Sequence, residues 1–292
     1  MNTFAQNFLY SGNEAEITMH AAALIIAEAY RAVADHKRFS LVLAGGNSPR
    51  LLYAQLAQGV STAVLEHYAL PVPESSSGSK PTLHPLPQNT WLFMGDERCV
   101  PIGHPDSNFR MITESLFLKS SIPEDHLFRM AAEHADPELA AREYEAAIRR
   151  FFSSANPMES QDFPVFDLVV LGLGEDGHTA SLFADNVDSI QEIKRWVVAV
   201  NAPQANPPVT RLTMTLPLIN NARNVLFFTT GSSKSKLAEK IFLKQEKNVP
   251  ASLVKPQNGR IFWFTTSRSS PPTPAHGNEP GTIPAVEIQP HL

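Results

Sequence analysis

The apolar run Phe166–Leu171 breaks into the turn Gly172-Leu-Gly-Glu-Asp-Gly-His178, and this pairing constrains the fold more than any other stretch. A strand that is apolar on both faces belongs inside a parallel sheet covered on both sides. Ligands of open α/β sheets bind beyond the carboxyl ends of the strands. The turn therefore brings Glu175, Asp176 and His178 to the place where a ligand sits. Histidine is the side-chain type best suited to trade a proton near neutral pH.

Similar apolar runs recur at Phe39–Ala44, Trp91–Met94, Trp196–Val200, Val225–Thr229 and Ile261–Phe264. Helical patterns lie between several of them, at Pro49–Gln58, Asn108–Leu118, Pro137–Phe152 and Ser233–Leu243. Strands alternating with helices predict βαβ units and a mostly parallel sheet. Before the first run, Asn13 and Glu16 form a capping-box pattern. Ile17, Ala21, Leu24, Ile25, Ala29, Ala32 and Val33 then recur at helical spacing. The residues ahead of Phe39 read as one helix and carry no basic helix-turn-helix pattern. Pro71–Gln88 is rich in Pro and Ser and reads as a surface insertion. The segment from Ser267 to Leu292, rich in Pro, Gly and Thr, reads as a disordered tail. That leaves one catalytic domain over residues 1–266.

Net charge sets limits on the partners. At −5 it argues against nucleic acid, which rewards clustered Lys and Arg, but leaves room for a small anion held by a few local cations. The lone Cys99 excludes an intrachain disulfide and a CxxC zinc site, and fits a reducing compartment as a small packed residue. No signal-peptide pattern and no membrane-length apolar run is apparent. The expectation is a soluble cytoplasmic monomer without membrane or nucleic-acid partners.

Four strand ends carry the candidate chemistry. In Leu41-Val-Leu-Ala-Gly-Gly-Asn-Ser-Pro-Arg50, Gly45 and Gly46 let backbone N–H groups approach a ligand, Ser48 reads as an N-cap and Pro49 as the first helical residue. Such a helix start suits a phosphate; the alternative is a tight turn with an ordinary cap. In Gly95-Asp-Glu-Arg-Cys-Val100, Arg98 is placed to bind a phosphate or carboxylate, with Asp96 and Glu97 orienting it or a substrate hydroxyl. The alternative is a solvated loop with a local ion pair. Asp106 or Ser107 caps the helix that follows. At Thr229-Thr-Gly-Ser-Ser-Lys234, Ser232 or Ser233 reads as a cap, and Lys234 falls in the first helical turn. A lysine there opposes the helix dipole unless an anion is present; otherwise it is a surface lysine. Arg211 sits in a β-like alternation.

Gly172, Gly174 and Gly177 also satisfy the G-x-G-x-x-G dinucleotide pattern. That fingerprint needs an acidic residue near the end of the next strand to hold a ribose. The next strand ends in Asn201-Ala-Pro203, without one. No nucleotide cofactor is expected, and no metal-ligand spacing is present. His178 is better suited to general acid/base work, with Asp176 accepting from the imidazole and fixing its tautomer. The bland alternative is a histidine capping its own short helix.

Together these motifs resemble the family of glucosamine-6-phosphate deaminases and 6-phosphogluconolactonases. The carriers are Leu43-Ala-Gly-Gly-Asn-Ser-Pro49, Gly95-Asp-Glu-Arg-Cys-Val-Pro101, Asp106-Ser-Asn-Phe-Arg110 and Gly172-Leu-Gly-Glu-Asp-Gly-His-Thr-Ala-Ser-Leu-Phe183. Arg211-Leu-Thr-Met-Thr-Leu-Pro217, Gly231-Ser-Ser-Lys234 and Pro250-Ala-Ser-Leu-Val254 add to them. The resemblance implies a Rossmann-like three-layer α/β/α fold without a nucleotide. It implies hydrolysis of a phosphorylated lactone in the oxidative pentose phosphate pathway, with His178 as acid/base and no cofactor. Arg98, Arg211, Lys234 and the Gly45-Gly-Asn-Ser48 loop would surround phosphate and lactone oxygens. The first loop departs from the family's usual Gly-Gly-Ser-Thr-Pro, and Thr210 stands where a second arginine is common. Two rivals follow from the same resemblance: an amino-sugar-phosphate isomerase or deaminase with Asp96 as carbon base, and a non-catalytic sugar-phosphate sensor.

Overall fold

The computed structural model describes residues 6–73, 83–153 and 163–267. In chain order they form β1 (Gln6–Gly12), α1 (Glu14–His36), β2 (Phe39–Leu43), α2 (Pro49–Gln58), β3 (Val60–Ser61), α3 (Thr62–His67), β4 (Leu83–His84), β5 (Thr90–Met94), β6 (Asp96–Arg98) and α4 (Asn108–Ser115). Beyond these run β7 (Leu127–Phe128), α5 (Pro137–Ser153), β8 (Leu168–Leu171), α6 (Val187–Gln191), β9 (Val197–Val200), β10 (Arg211–Met214), α7 (Leu216–Asn220), β11 (Asn224–Thr229), α8 (Ser232–Phe242) and β12 (Arg260–Thr266).

Seven strands make one parallel sheet in the order β1-β12-β11-β8-β2-β5-β7. The central strands β2, β5, β8, β11 and β12 are the apolar runs read from the sequence, and burial on both faces is why they carry no alternation. From β2 the chain steps outward to β5 and β7, then returns to the other side of β2 for β8, β11 and β12. Parallel crossovers are right-handed, so this reversal puts the helices before β7 and those after it on opposite faces. Accordingly α1, α2 and α4 pack together, and α5 and α8 cover the other face. The reversal also opens a crevice where β2 and β8 part at their carboxyl ends, the usual ligand position in such sheets.

α1 is held at its start by the expected capping box: Glu16 N–H donates to Asn13 Oδ1 at 3.0 Å, and Asn13 N–H to Glu16 Oε2 at 2.9 Å. By length and hydropathy α1 matches a membrane span, contrary to the reading of the sequence, but 72% of its apolar window is buried inside the protein, as in a core helix. At the amino end of the sheet, Asp167 accepts from Ser40 N–H and Oγ at 2.9 and 2.7 Å and contacts His36 and Arg223. Glu28, Asn224 and Arg260 continue this network, so the cavity beside it has its buried carboxylates already satisfied.

Three sequence expectations change. A strand, β1, precedes α1; its polar-apolar mixture Gln-Asn-Phe-Leu-Tyr-Ser-Gly fits an edge strand paired only to β12. Trp196–Val200 does not enter the main sheet: β9 pairs antiparallel with β10, and β10 with β6, in a separate three-stranded sheet. The helix expected over Asn108–Leu118 stops at Ser115 and gives way to a 3₁₀ turn at Phe117–Lys119. Of the expected insertion, residues 74–82 lie outside the described residues, while Leu83–His84 pairs with Val60–Ser61. The expected tail lies outside them too, apart from Ser267.

Candidate active site

Gly45, Gly46, Asn47, Ser48, Asp96, Arg98, His178, Arg211 and Lys234 all line one cleft of about 640 Å³ that opens to solvent at the crevice between β2 and β8. Ala44, Pro49, Gly172, Leu173, Gly174 and Ala180 complete its wall. Of the residues singled out from sequence, Glu97, Glu175 and Asp176 stand off this lining, and Asp176 touches the cleft through His178.

The histidine turn is tightly closed. Gly174 N–H donates to His178 O at 2.9 Å, Gly177 N–H to Gly174 O at 3.1 Å, and Thr179 Oγ1 to Gly172 O at 2.8 Å. Gly177 adopts a φ of +81°, and a Cβ there would lie 2.4 Å from Val249 Cβ, so glycine is required twice over. Ala251 N–H donates to Gly177 O at 3.0 Å, which ties the Pro250–Val254 motif to the turn. No helix follows His178. The chain doubles back through a Thr179–Leu182 bridge, so the reading of a histidine capping its own helix falls away. Glu175 turns away from His178 and accepts from Ser233 Oγ at 2.7 Å.

Asp176 Oδ1 lies 2.6 Å from His178 Nδ1 and accepts His178 N–H at 3.1 Å. The imidazole hydrogen bond holds the Asp176 carboxyl below its usual value. It is therefore an anion that accepts, Nδ1 carries the proton, and Nε2 is left as the basic nitrogen. A depressed folded-state pKa contributes stability that is complete above the ordinary aspartate value and lost as pH falls through the lowered one. Melting temperatures of wild type and Asp176→Asn, followed from pH 7 downward, should keep a constant gap until pH drops below about 3.8 and converge beneath it. The absence of any gap at pH 7 would show that this contact contributes nothing to the fold.

The Asp-Glu-Arg stretch is a largely buried strand, so the alternative of a solvated loop falls away. Asp96 and Glu97 are only 5% and 2% exposed, and every oxygen of each carboxylate has a donor. Asp96 accepts from Ser181 Oγ at 2.7 Å and Asn108 Nδ2 at 3.3 Å. Glu97 accepts from Arg98, Asn108 and Phe109 N–H groups, each at 2.7 Å, and from Ser107 Oγ at 3.2 Å. It thus caps α4 from another element, while Ser107 caps Arg110 N–H in the ordinary way. Burial raises the Glu97 carboxyl above its ordinary value despite three backbone donors, and the neighbouring Asp96 adds to the rise. Cys99 is half-buried beside it, and its thiol is pushed up to about 11 by burial and by Glu97.

Arg98 and Arg211 are register partners across β6 and β10. Arg98 Nη1 donates to Asp106 O at 2.7 Å, and Arg211 Nη2 donates to Asn206 O and Pro207 O at 3.1 and 3.2 Å. The Nε atom of each is buried without a partner. Burial lowers the Arg211 pKa, and Asp96 opposes that. Two guanidinium groups lining one cleft suit it to an anion's oxygens.

α2 starts where the sequence placed it, with Ser48 at the N-cap position and Pro49 first, but without the side-chain cap, and α8 differs in its cap residue. Ser48 already has helical dihedrals and makes no capping bond; its hydroxyl lies 3.1 Å from Thr230 Oγ1. Gly231, at φ +96°, takes the cap position of α8 in place of Ser232 or Ser233. These contacts bring the Gly45–Ser48 loop beside the first turn of α8, which carries Lys234. Sequence reasoning missed Asn108: its side chain donates to Asp96 O at 3.0 Å and fills the space where a Gly45 Cβ would fall. Among the described residues, no group of three His, Cys, Asp or Glu side chains gathers as metal ligands.

A parallel sheet with a reversed crossover, carrying a histidine and three cations at one strand-end cleft, defines a sugar-phosphate class of α/β protein. The family model for glucosamine-6-phosphate isomerases/6-phosphogluconolactonase matches residues 12–263, and the chain belongs to that family. A 6-phosphogluconolactonase of Synechocystis sp. is 35% identical over 236 residues, covering 80% of this chain and 84% of the relative. A human 6-phosphogluconolactonase is 34% identical over 229 residues, 78% of each chain. Among solved structures, 6-phosphogluconolactonase from Trypanosoma brucei superposes with a TM-score of 0.69 at 25% identity, over 90% of this chain and 97% of that one. The enzyme from Trypanosoma cruzi gives 0.68 at 26% identity, over 91% and 96%.

Proposed function

We propose that this chain is a 6-phosphogluconolactonase: it hydrolyses 6-phospho-D-glucono-1,5-lactone to 6-phospho-D-gluconate within residues 1–266. The observation that carries the reading is one cleft lined by an imidazole oriented by Asp176, two arginines, and a lysine in the first turn of a helix. His178 Nε2 takes a proton from water as its oxygen bonds to the lactone carbonyl carbon. The carbonyl electrons move to oxygen, and a guanidinium or backbone N–H groups stabilise that oxyanion. Collapse breaks the ring C–O bond, and His178 returns the proton to the departing ring oxygen. The products are the open-chain acid and a free hydroxyl. A remote phosphate held by Lys234 and the Gly45–Ser48 loop orients the ring.

Coupled assays on the phosphorylated lactone and on glucosamine 6-phosphate test the reading. Turnover of the lactone above the spontaneous rate supports it. Turnover of the amino sugar alone overturns it in favour of the isomerase, whose carbon base would be Asp96. That carboxylate is already engaged by Ser181 and Asn108.

Lys234→Ala should raise KM roughly 10-fold or more while kcat changes little, the pattern of lost uniform binding. Unchanged affinity for 6-phosphogluconate by calorimetry would remove Lys234 from the phosphate.

A further inference from the structure

We infer that Phe183 is a positioning residue for His178: its ring fixes the plane of the imidazole so that Nε2 stays aimed into the cleft, and it seats Arg211 against the same ring. This rests on His178 being the base.

Asp176 alone cannot fix the imidazole. It holds one corner of the ring, its own side chain is 58% exposed, and a single hydrogen bond leaves the ring free to swing about that contact. The second constraint is a surface. The His178 and Phe183 ring centroids are 4.7 Å apart with planes at 40°. The Arg211 Cζ atom lies 5.7 Å from the centroid of the same Phe183 ring, within cation–π range. One aromatic side chain therefore touches both the base and a cation of the cleft.

Phe183 is itself immobilised. It is 2% exposed and packs with Val198, Val200 and Ala202 in a small apolar cluster separate from the main core. Val198 and Val200 come from β9, whose neighbour β10 carries Arg211. The Thr179–Leu182 bridge returns the chain so that Phe183 meets His178 five positions after it. The three-stranded sheet thus aligns its arginines and also supplies the seat for the ring that steadies the histidine.

Phe183→Leu should lower kcat on the phosphorylated lactone roughly 10-fold or more, with KM within about threefold, because a small misplacement of a reacting group is expensive. Phe183→Tyr, which keeps the ring, should return kcat to within about threefold of wild type. The carbon-bound protons of His178 provide a direct readout by NMR. Loss of the aromatic ring should move their signals in Phe183→Leu and leave them nearly unmoved in Phe183→Tyr. In a His178→Asn background, Phe183→Leu should cost little more. A folded Phe183→Leu with wild-type kcat, unmoved His178 signals, or a full further loss in the His178→Asn background would each overturn the proposal. Should Phe183→Leu fail to fold, Phe183→Met carries the same measurements. If His178→Asn itself keeps near-normal turnover, the base assignment fails, and the NMR shift still reports whether Phe183 holds the ring.

Discussion

Replacing His178 with Asn should lower kcat on the phosphorylated lactone about 100-fold or more, the usual scale for losing a general base. That is about 2.7 kcal/mol of transition-state stabilisation. Asparagine still offers an N–H to Asp176, so the turn keeps its shape, and the glycine closures of Gly172–Gly177 do not depend on the imidazole. What disappears is the basic nitrogen. KM should change by less than about threefold, because the anion's partners in the cleft are left in place. The lactone opens spontaneously, so that rate must be subtracted first. A corrected kcat near wild type would take His178 out of the proton transfer.

Glu97→Ala should be the most destabilising change near the site, by about 3–5 kcal/mol. It strands three backbone N–H groups and a serine hydroxyl beneath a buried strand, at roughly 1–3 kcal/mol for each donor left dry. Water entering the new space offsets part of that. Set against a typical total of about 5–15 kcal/mol, the melting temperature should drop by roughly 10 °C. KM should rise as well, since α4 carries Asn108, which braces Asp96 and packs at Gly45. A melting temperature within about 2 °C of wild type would mean that Ser107 alone caps α4. The pH behaviour runs opposite to that of Asp176. The Glu97 carboxyl is raised in the fold, so its ionisation disfavours the native state. Wild type should lose stability relative to Glu97→Gln as pH climbs from the ordinary value of 4.5 through the raised one.

These two residues also mark what the sequence does and does not disclose. His178 is legible because an apolar run ending in a glycine turn has one structural meaning, a strand entering a cleft. The long helices are legible for a similar reason: apolar spacing and the Asn13 box act locally. Glu97 is not legible. Three adjacent charges after a strand read as groups facing a ligand or a solvated loop, and the distant donors at Ser107, Asn108 and Phe109 that make burial of Glu97 tolerable are not visible locally. The small antiparallel sheet is hidden because β6 is three residues long and charged, with no alternation to read. β1 is hidden because an edge strand needs no apolar run. Ser48 is legible in position but not in bonding: it stands at the N-cap of α2 as read, but its dihedrals are already helical and Thr230 engages the hydroxyl. Phe183 reads as ordinary core until the neighbours of its ring are seen.

The ladder between β6 and β10 sets Arg98 directly across from Arg211. Like charges in that relation repel, and an anion bound between them offsets the repulsion. Their spacing is also a ruler graduated by the main chain, since opposed residues leave an antiparallel pair about 4.5–5.5 Å apart whatever their side chains. Exchanging one cation for another changes the strength of the grip but leaves the gauge untouched. To accept an anion of another span, the protein would have to move a strand.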